Sequence, residues 1–383
     1  MPQVNVAMIG YKFMGKAHSN AYRQVSHFFP GKIEPRMKVL CGRDRVAAEA
    51  AARQFGWEEV ETDWRKVVAR QDIDLIDIVT PGNLHRPIAV AAAAAGKHVI
   101  SEKPLANTLR DAKDMLRAVE KAGVKHMVMH NYRKIPAIAF AKQMIKEGRL
   151  GRIYHYRGAY LQDWILDPNF PLVWRLTKKV AGSGALGDIG SHAVDLAHYL
   201  NGGITAVTAQ TTTFIKERPL PGAVGGLKAE ARKGKGRVTV DDDANFLTAF
   251  KNGSVGVFEA SRFCGGRRNY NTLQIYGSRG SLAFNLERMD ELEFYDNTEP
   301  QADQGFKTIL VTQPVHPYVG AWWPPGHIIG YEHTFVHAIH DFMVALEKDR
   351  FPEPNFYDGV KDQSVLDAIE RSAKSGRWEK VKP

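Results

Sequence analysis

The first third of the chain alternates short apolar runs with helical segments, and this alternation constrains the fold more than any other feature. Strands that alternate with helices of this length are typical of βαβ units, which build a parallel sheet. The apolar runs are VNVAMIG, MKVLCGR, IDLIDIVT, GKHVISEK and VKHMVMH. We therefore predict an α/β domain with a parallel sheet over residues 1–132.

After about Tyr132 the pattern changes to strands that follow one another without regular helical crossovers. RIYHYRGAYLQ, ITAVTAQTTTFI, ANFLTAF and SVGVFEASR are examples, and Asn252-Gly253 lies between two of these runs as a strong hairpin signal. Such an order favours an antiparallel or mixed sheet. The sequence predicts an α+β domain over 133–383, with a large open, mostly antiparallel sheet and closing helices near 331–347 and 360–375.

Length and composition exclude several classes of protein. The 383 residues suggest about two domains, and they contain no run of about 18 apolar residues. Two cysteines argue against a disulfide framework and against a cysteine-built metal site. The net charge is +10, but its densest stretch, Leu227 to Arg237, has no interleaved aromatics and is predicted to be a solvated loop. Strand-like sequence from Val4 leaves no room for a leader. We predict a cytoplasmic protein without metal, nucleic-acid or membrane partners.

The turn after the first predicted strand has the spacing G-x-x-x-x-G, from Gly10 to Gly15, where a helix is predicted to open. A dinucleotide-binding fingerprint would be G-x-G-x-x-G. Lys12 stands in place of the middle glycine, which lets the backbone approach a pyrophosphate. Taken alone, this pattern is compatible with a nucleotide site and equally with a structural strand-to-helix turn.

Polar loops follow the third and fourth predicted strands, at Thr80–His85 and Ser101–Thr108. In an open parallel sheet, ligands lie beyond the carboxyl ends of the strands, so we expect these loops and the first turn to converge. Lys103 is either one half of a surface pair with Glu102 or a hydrogen-bond donor to a substrate oxygen.

The second half contains the glycine-rich segment AGSGALGDIGSHAVDLAHYL, from Ala181 to Leu200, which predicts a helix with an apolar stripe. Asp188 and His192 are four residues apart and therefore neighbours on a helix surface. The carboxylate can fix the tautomer of the ring, as a general acid–base requires. The alternative is a polar helix face turned to solvent.

Four motifs carry a resemblance that spans nearly the whole chain: EKPLA, G-x-G-x-L-x-D-x-G-x-H-x-x-D, TP-x-N-x-H and NYR, the last from Asn131 to Arg133. Together they resemble the glucose–fructose oxidoreductase/inositol dehydrogenase (Gfo/Idh/MocA) family. The resemblance implies an N-terminal Rossmann domain that binds NAD or NADP. It also implies a C-terminal substrate domain whose open sheet often mediates oligomers, so we expect a homodimer or homotetramer. Sugars and cyclitols are the implied substrates.

Matching the motifs residue by residue assigns expected roles. The resemblance gives Lys103, Asp188 and His192 as catalytic residues. The expected cofactor contacts are Gly10, Tyr11, Lys12, Phe13, Met14, Gly15, Arg43, Asp44, Thr80, Pro81, Asn83, His85, Glu102, Lys103 and Asn131. The expected substrate contacts are Lys103, Gln162, Trp164, Arg175, His192 and His327.

The implied reaction moves a hydride between nicotinamide C4 and a ring hydroxyl or ketone of a sugar, glycoside or cyclitol. His192 would take the hydroxyl proton, Lys103 would stabilise charge on the same oxygen, and Asp188 would orient His192. One alternative is a glycosidase, epimerase or dehydratase that reduces a tightly bound NAD only transiently. Another is a sugar-sensing regulator, against which the intact catalytic set argues.

Cofactor preference is sought at the end of the second predicted strand. NAD sites commonly place an acid there for the ribose 2′-hydroxyl, whereas an arginine accommodates a 2′-phosphate. Gly42 holds the usual position of the acid and Arg43 follows it, which tilts the prediction toward NADP, although Asp44 could restore NAD. For Lys12 we hypothesise a wider turn, in which the lysine lies over the cofactor or pairs with a phosphate.

Overall fold

A computed structural model describes residues 2–225 and 228–382. The chain divides into two compact units. The first unit runs to Asn131 and also takes in Gly330–Val360, and the second comprises Tyr132–Ile329 and the chain from Lys361 onward. Residues 330–360, which the sequence analysis placed in the second domain, thus belong to the first unit. None of the helices in the described ranges is long and apolar enough to cross a membrane.

The first unit contains a six-stranded parallel sheet in the order β3-β2-β1-β4-β5-β6. This order reverses between β1 and β4, the point at which doubly wound sheets bind ligands. The elements up to Asn131 are β1 (Gln3–Ile9), α1 (Phe13–Phe28), β2 (Glu34–Cys41), α2 (Arg45–Phe55), β3 (Glu59–Glu61), α3 (Trp64–Ala69), β4 (Leu75–Ile78), α4 (His85–Ala94), β5 (His98–Ser101), α5 (Leu109–Ala122) and β6 (His126–Val128).

The second unit is built on a nine-stranded sheet in the order β16-β15-β14-β13-β7-β12-β11-β8-β17. After Asn131 the elements of both units, in chain order, are α6 (Pro136–Lys146), β7 (Ile153–Leu161), α7 (Lys178–Ala181), α8 (Ser191–Asn201), β8 (Ile204–Thr212), β9 (Glu217–Gly225), β10 (Lys228–Arg237), β11 (Asp243–Phe250), β12 (Val255–Ser261), β13 (Tyr270–Gly277), β14 (Gly280–Asn285), β15 (Glu291–Asp296), β16 (Lys307–Leu310), α9 (His333–Glu347), α10 (Phe356–Ser375) and β17 (Glu379–Lys380). Of these, α9 and the start of α10 belong to the first unit.

The predicted fold class is confirmed. Among the described residues of the large sheet, β7 and β12 pair in parallel and the other strand pairs are antiparallel. The Asn252-Gly253 hairpin joins β11 to β12, with Gly253 at φ 86°. Alternate residues of these strands face the core, where Phe246 and Phe258 lie opposite each other with ring centroids 4.7 Å apart. α8 packs against β7.

Three local predictions were wrong. The helix after β1 begins at Phe13 rather than at Gly15. β3 and α3 were missed, because a strand of three residues and a helix of six carry too few apolar positions to show a period. Most of the basic stretch predicted as a loop, Lys228–Arg237, is β10, which pairs with β9 in a separate two-stranded sheet. Leu227 of that stretch lies outside the described residues.

The segment from Gly330 to Val360 completes the core of the first unit. α9 buries Phe335, Ile339 and Phe342 and packs against α1. Phe356 and Val360, at the start of α10, join the apolar core formed by the sheet and its helices. No local sequence pattern indicates this return, since it depends on long-range packing.

Candidate active-site residues in the two units

The turn between β1 and α1 makes a close passage beside β4. Gly10 has φ 115°, and a Cβ there would lie 2.8 Å from the carbonyl oxygen of Val79, so only glycine fits this position. Lys12 is the exposed N-cap residue of α1 and makes no capping hydrogen bond with its side chain. Met14 and Gly15 are half-buried and buried in the first turn of the helix.

The end of β2 lies beside this turn. A Cβ at Gly42 would come within 2.1 Å of the Tyr11 ring, so no carboxylate side chain fits at this position while the ring is there. Arg43 and Asp44 are exposed, and Asp44 caps α2 by accepting a hydrogen bond from Ala47 N at 3.1 Å. Desolvation raises the pKa of the Tyr11 phenol, and the charge of Asp44 adds to this increase.

The loop after β4 is tied to the loop after β5 by a buried histidine. The Nε2 of His85 lies 2.9 Å from Thr80 O, and Nδ1 lies 3.1 Å from Pro104 O. Burial lowers the pKa of His85, although the carbonyl oxygens around the ring oppose this decrease. Pro81 opens the short 3₁₀ turn between these residues, and Asn83 in that turn is exposed.

Behind Lys103, four buried polar side chains form a hydrogen-bonded network. His18 places Nδ1 2.8 Å from Asp77 Oδ2 and Nε2 3.0 Å from Glu102 Oε1. The hydroxyl of Tyr22 donates to Asp77 Oδ2 at 2.9 Å. The Lys103 N–H donates to Glu102 Oε2 at 3.1 Å. Burial opposes the charged ring, but the two carboxylates outweigh it and raise the pKa of His18 to about 10.

The two stretches of chain that make up the first unit are linked by side-chain contacts. Asn131 donates from Nδ2 to Thr334 Oγ1 at 2.8 Å, and Thr334 Oγ1 donates to Tyr331 O at 2.6 Å. Phe13, which is 45% exposed, stacks with Tyr331 at a centroid distance of 6.4 Å. Sequence reasoning did not select His18, Tyr331 or Thr334, because their positions depend on the return of residues 330–360 and on long-range pairing.

The residues of the first unit fit a dinucleotide. The N-terminus of α1 lies at the switch point of the sheet and has no acidic residue in its first turn. A helix N-terminus of this kind favours a phosphate. Within 2–225 and 228–382, the buried Thr80 Oγ1 at the end of β4 has no hydrogen-bond partner and can serve a ligand.

In the second unit, Asp188 and His192 lie on one continuous helical segment, as predicted. The segment starts as a π-helical turn, Leu186–Gly190, and continues as α8. His192 is 5% exposed, and its ring lies 4.5 Å from that of Tyr132 and 5.8 Å from that of Tyr160. The carboxylate of Asp188 lies 3.7 Å from the guanidinium of Arg262. The segment is therefore buried around His192 and is not a solvated helix face.

A chain of hydrogen bonds, which we call the polar ladder, runs up to the rings beside His192. Trp164 Nε1 donates to Gln162 Oε1 at 3.0 Å, and Gln162 Nε2 donates to Asn269 Oδ1 at 2.9 Å. The Tyr160 hydroxyl donates to Asn269 Oδ1 at 2.6 Å and lies 2.9 Å from the Tyr132 hydroxyl. Gln162 and Trp164 thus share one hydrogen-bonded network, and their role as substrate contacts stays a prediction.

Two predicted substrate contacts are placed outside the polar ladder. Arg175 lies over the ring of its neighbour Trp174, with the guanidinium carbon 4.4 Å from the ring centroid. His327 is exposed in the aromatic loop, and its Nδ1 lies 2.9 Å from Pro324 O. Sequence reasoning missed Tyr160, Asn269 and Arg262. Tyr160 could have been found from the alternation along β7, but no local signal distinguishes the other two.

These arrangements define an oxidoreductase with an NAD-binding Rossmann domain. Two family models match the chain: "Oxidoreductase family, NAD-binding Rossmann fold" over residues 4–130, and "GFO/IDH/MocA C-terminal domain" over residues 138–283. The chain belongs to the Gfo/Idh/MocA family.

Individual relatives resemble the chain over its full length. It is 46% identical to the levoglucosan dehydrogenase of Pseudarthrobacter phenanthrenivorans, over 99% of this chain and 98% of that one. A levoglucosan dehydrogenase solved with NADH and levoglucosan matches at a TM-score of 0.94 and 45% identity, over 99% of both chains. An oxidoreductase domain protein from Kribbella flavida matches at a TM-score of 0.95 and 49% identity, over 100% of both chains.

Proposed function

We propose that the chain is an NAD-dependent dehydrogenase that oxidises a ring hydroxyl of levoglucosan or a closely related anhydrosugar. The observation that carries this proposal is the 46% identity to a levoglucosan dehydrogenase along both chains. The polar ladder supports it, since its amide, indole and phenol groups, which connect to the tyrosine rings beside His192, suit a polyhydroxylated ring with apolar faces.

We assign the reacting groups as follows. The nicotinamide, when bound, supplies the hydride acceptor. His192 accepts the hydroxyl proton, since its buried ring lies on the same helical segment as the Asp188 carboxylate. Lys103 hydrogen-bonds the substrate oxygen and stabilises its developing charge. Binding of the cofactor is assigned to the first unit, and the substrate contacts of Gln162 and Trp164 to the second.

For the cofactor we propose NAD. The relatives solved with NADH favour it over the tilt toward NADP that Arg43 suggests. The proposed contacts are those predicted from the sequence, with Thr80 Oγ1 as a donor that has no partner of its own among the described residues.

We also propose that the chain forms a homodimer or homotetramer through the large sheet and resides in the cytoplasm. The outward face of β11 and β12 exposes Leu247, Val255 and Val257, and Leu247 lies opposite Val257 across the strand pair. An apolar group of this kind on adjacent strands suits a second copy. Both cysteines, Cys41 and Cys264, are free, which agrees with a reducing compartment.

A substrate panel with product analysis tests the function. Purified protein is assayed with levoglucosan, glucose, simple glycosides and inositols, each with NAD and with NADP. We expect the highest kcat/KM for levoglucosan with NAD, accompanied by stoichiometric formation of a ketone and of reduced cofactor. Product formation without net cofactor reduction would instead establish the recycling chemistry, and activity only on open sugars would contradict the anhydrosugar assignment.

A further inference from the structure

A buried arginine that the proposed mechanism does not use lies beside Asp188. Arg262 follows the last residue of β12 and is 0% exposed. Its Nη2 donates to Asp241 O at 3.0 Å, and its guanidinium carbon lies 5.5 Å from the centroid of the Trp164 ring. Its Nη1 lies 3.7 Å from Asp188 Oδ2. The guanidinium thus lies against both the predicted catalytic carboxylate and one end of the polar ladder.

The glycine-rich segment is shaped to admit this side chain. A Cβ at Gly184 would lie 2.6 Å from Arg262 Nη2 and 1.7 Å from Asp241 O, so a larger residue there would displace both. The Asp241 carboxylate accepts hydrogen bonds from Gly184 N and Leu186 N, both at 2.7 Å. The start of the helical segment that carries Asp188 is therefore fixed on the same residue that Arg262 binds.

Burying the charged side chain of Arg262 is unfavourable unless an opposite charge compensates it. Within the described ranges, neither its Nε nor its Nη1 has a hydrogen-bond partner. A buried cation needs compensating charge, and removing one partner of such a pair is strongly destabilising. Asp188 is the carboxylate paired with it, and Nη1 has a hydrogen bond to give to that carboxylate.

Several other charged groups lie near this site, and most of them have hydrogen-bond partners. Burial raises the pKa of Asp242 despite hydrogen bonds from Ile215 N and Phe214 N and the nearby charge of Arg262. The guanidinium of Arg218 on β9 donates hydrogen bonds to the carbonyl oxygens of residues 165, 167 and 170. Further along α8, Asp195 is bound by Arg133.

Two further titratable groups lie on or beside α8, and His130 lies near both Asp195 and Asp362. His198 contacts Asp362 at 2.8 Å, and the Lys142 ammonium of α6 lies 5.2 Å from the ring of Tyr199. Asp195 and Asp362 have cationic or histidine partners of their own, and the contact of Arg262 with Asp188 lies four residues before His192 on the same helical segment.

We propose that Arg262 is a positioning residue for the reaction assigned to this site: its cation fixes the Asp188 carboxylate and thereby lowers the proton affinity of His192. The inference rests on the proposed function insofar as it assigns proton transfer to His192. Without Arg262, less positive charge faces the Asp188 carboxylate, whose negative charge then favours the imidazolium form of His192 more strongly. A protonated His192 cannot accept the hydroxyl proton, so activity is lost first at low pH.

The test compares Arg262→Gln with Arg262→Lys and with a matched buried arginine, Arg218→Gln. In Arg262→Gln we expect kcat to fall at least tenfold at neutral pH, with KM within a factor of about two, and the acid limb of the kcat profile to move to higher pH. Arg262→Lys keeps a cation and should restore the limb but only part of the turnover. Arg218→Gln should lower the unfolding midpoint without moving the limb.

A second readout does not depend on the identity of the substrate. The imidazole resonance that disappears in His192→Ala identifies His192 by NMR, and its titration midpoint should lie at higher pH in Arg262→Gln than in the wild-type protein. An unchanged midpoint in the folded variant overturns the inference, even if the enzyme oxidises levoglucosan as proposed. Failure of the wild-type protein to oxidise levoglucosan, with the midpoint shifted, overturns only the substrate assignment.

Two further comparisons complete the design. In the Asp188→Asn background, Arg262→Gln should cause little further loss, because both residues act through one contact; additive losses contradict the positioning role. If Arg262→Gln does not fold, Arg262→Met, which removes the cation and keeps an apolar side chain of similar length, takes its place. Wild-type kcat in that variant contradicts the role, and a fall in kcat at constant KM supports it.

Discussion

His192 is the residue on which the proposed chemistry depends most directly. Its ring is buried against Tyr132 and Tyr160, four residues after Asp188 on the same helical segment. We predict that His192→Ala lowers kcat by about two to four orders of magnitude, the range that general acid–base catalysis supplies. Binding of NADH, followed by fluorescence titration, should be retained, because His192 belongs to the second unit.

The matched control for this prediction is on the same helix. The His198 side chain is 8% exposed, but it contacts Asp362 at 2.8 Å and has no assigned role in the reaction. His198→Gln should leave kcat within a few-fold of the wild-type value. Near-normal turnover in folded His192→Ala would refute the role of the proton acceptor.

Arg43 gives a second prediction at the scale of single residues. It is exposed next to Gly42, where the Tyr11 ring leaves no room for a carboxylate side chain. Because a guanidinium at this point favours a 2′-phosphate, Arg43→Ala should reduce kcat/KM for NADP more than for NAD. Arg45→Ala, at an exposed residue of α2 paired with Glu49, is the control and should leave kcat/KM unchanged for both NAD and NADP. Equal losses for both cofactors in Arg43→Ala would remove Arg43 from the ribose site.

At this scale the sequence predicted pairs that are local and missed partners that are distant. Asp188 and His192 were placed on one helical segment from their spacing, and the structure has them on the π-helical turn and on α8, while their catalytic roles stay a prediction. Gln162 and Trp164 are close in sequence and share a hydrogen bond. Asn269 lies 107 residues from Gln162 and reaches it only through the pairing of β7 with β13, which no local pattern specifies.

At the scale of elements, the network around His18 joins α1, β4 and the loop after β5. The folded-state pKa of about 10 lies above the ordinary value of 6.5, so the folded protein holds a proton that the unfolded chain releases. The stabilisation is therefore fully present below about pH 6.5 and is lost as the pH rises toward 10.

Chemical unfolding measured as a function of pH checks this network. Between pH 6.5 and 10 the wild-type protein should lose up to about 1.4 kcal/mol of unfolding free energy per pH unit beyond any loss seen in His18→Gln. His126 is a buried histidine of the same unit whose pKa burial lowers to about 4, so it is neutral throughout this range. His126→Gln should keep the wild-type slope, and a wild-type slope in His18→Gln would show that the ring is uncharged.

The elements themselves were predicted well where the sequence carries a run of several apolar residues, even where the strand itself is short. The parallel strands β1, β2, β4, β5 and β6 and the strands β7, β11 and β12 were all found from their apolar runs. β10 was taken for a loop because Lys228–Arg237 is basic and carries glycines. Its partner is a strand with two prolines, so neither strand has the composition by which strands are detected.

At the scale of the whole molecule, the exposed apolar group on β11 and β12 predicts self-association. Val257→Glu places a charge at the centre of this group and should reduce the mass of the particle measured by light scattering. Val46→Glu, at a more exposed valine on α2, is the control and should leave the mass unchanged. A wild-type particle with the mass of a single chain would contradict the proposed homo-oligomer.

The return of residues 330–360 to the first unit has a consequence for how the chain matures during synthesis. α9 packs against α1, Phe29 lies 4.4 Å from His340 between ring centroids, and Phe356 completes the core beside the parallel sheet. When the first 131 residues have emerged from the ribosome, only part of the nucleotide-binding unit has been made, and apolar surface on α1 is still uncovered. That surface is a binding site for chaperones until some 230 further residues have emerged, and an expression fragment ending at Asn131 inherits the same exposed face permanently.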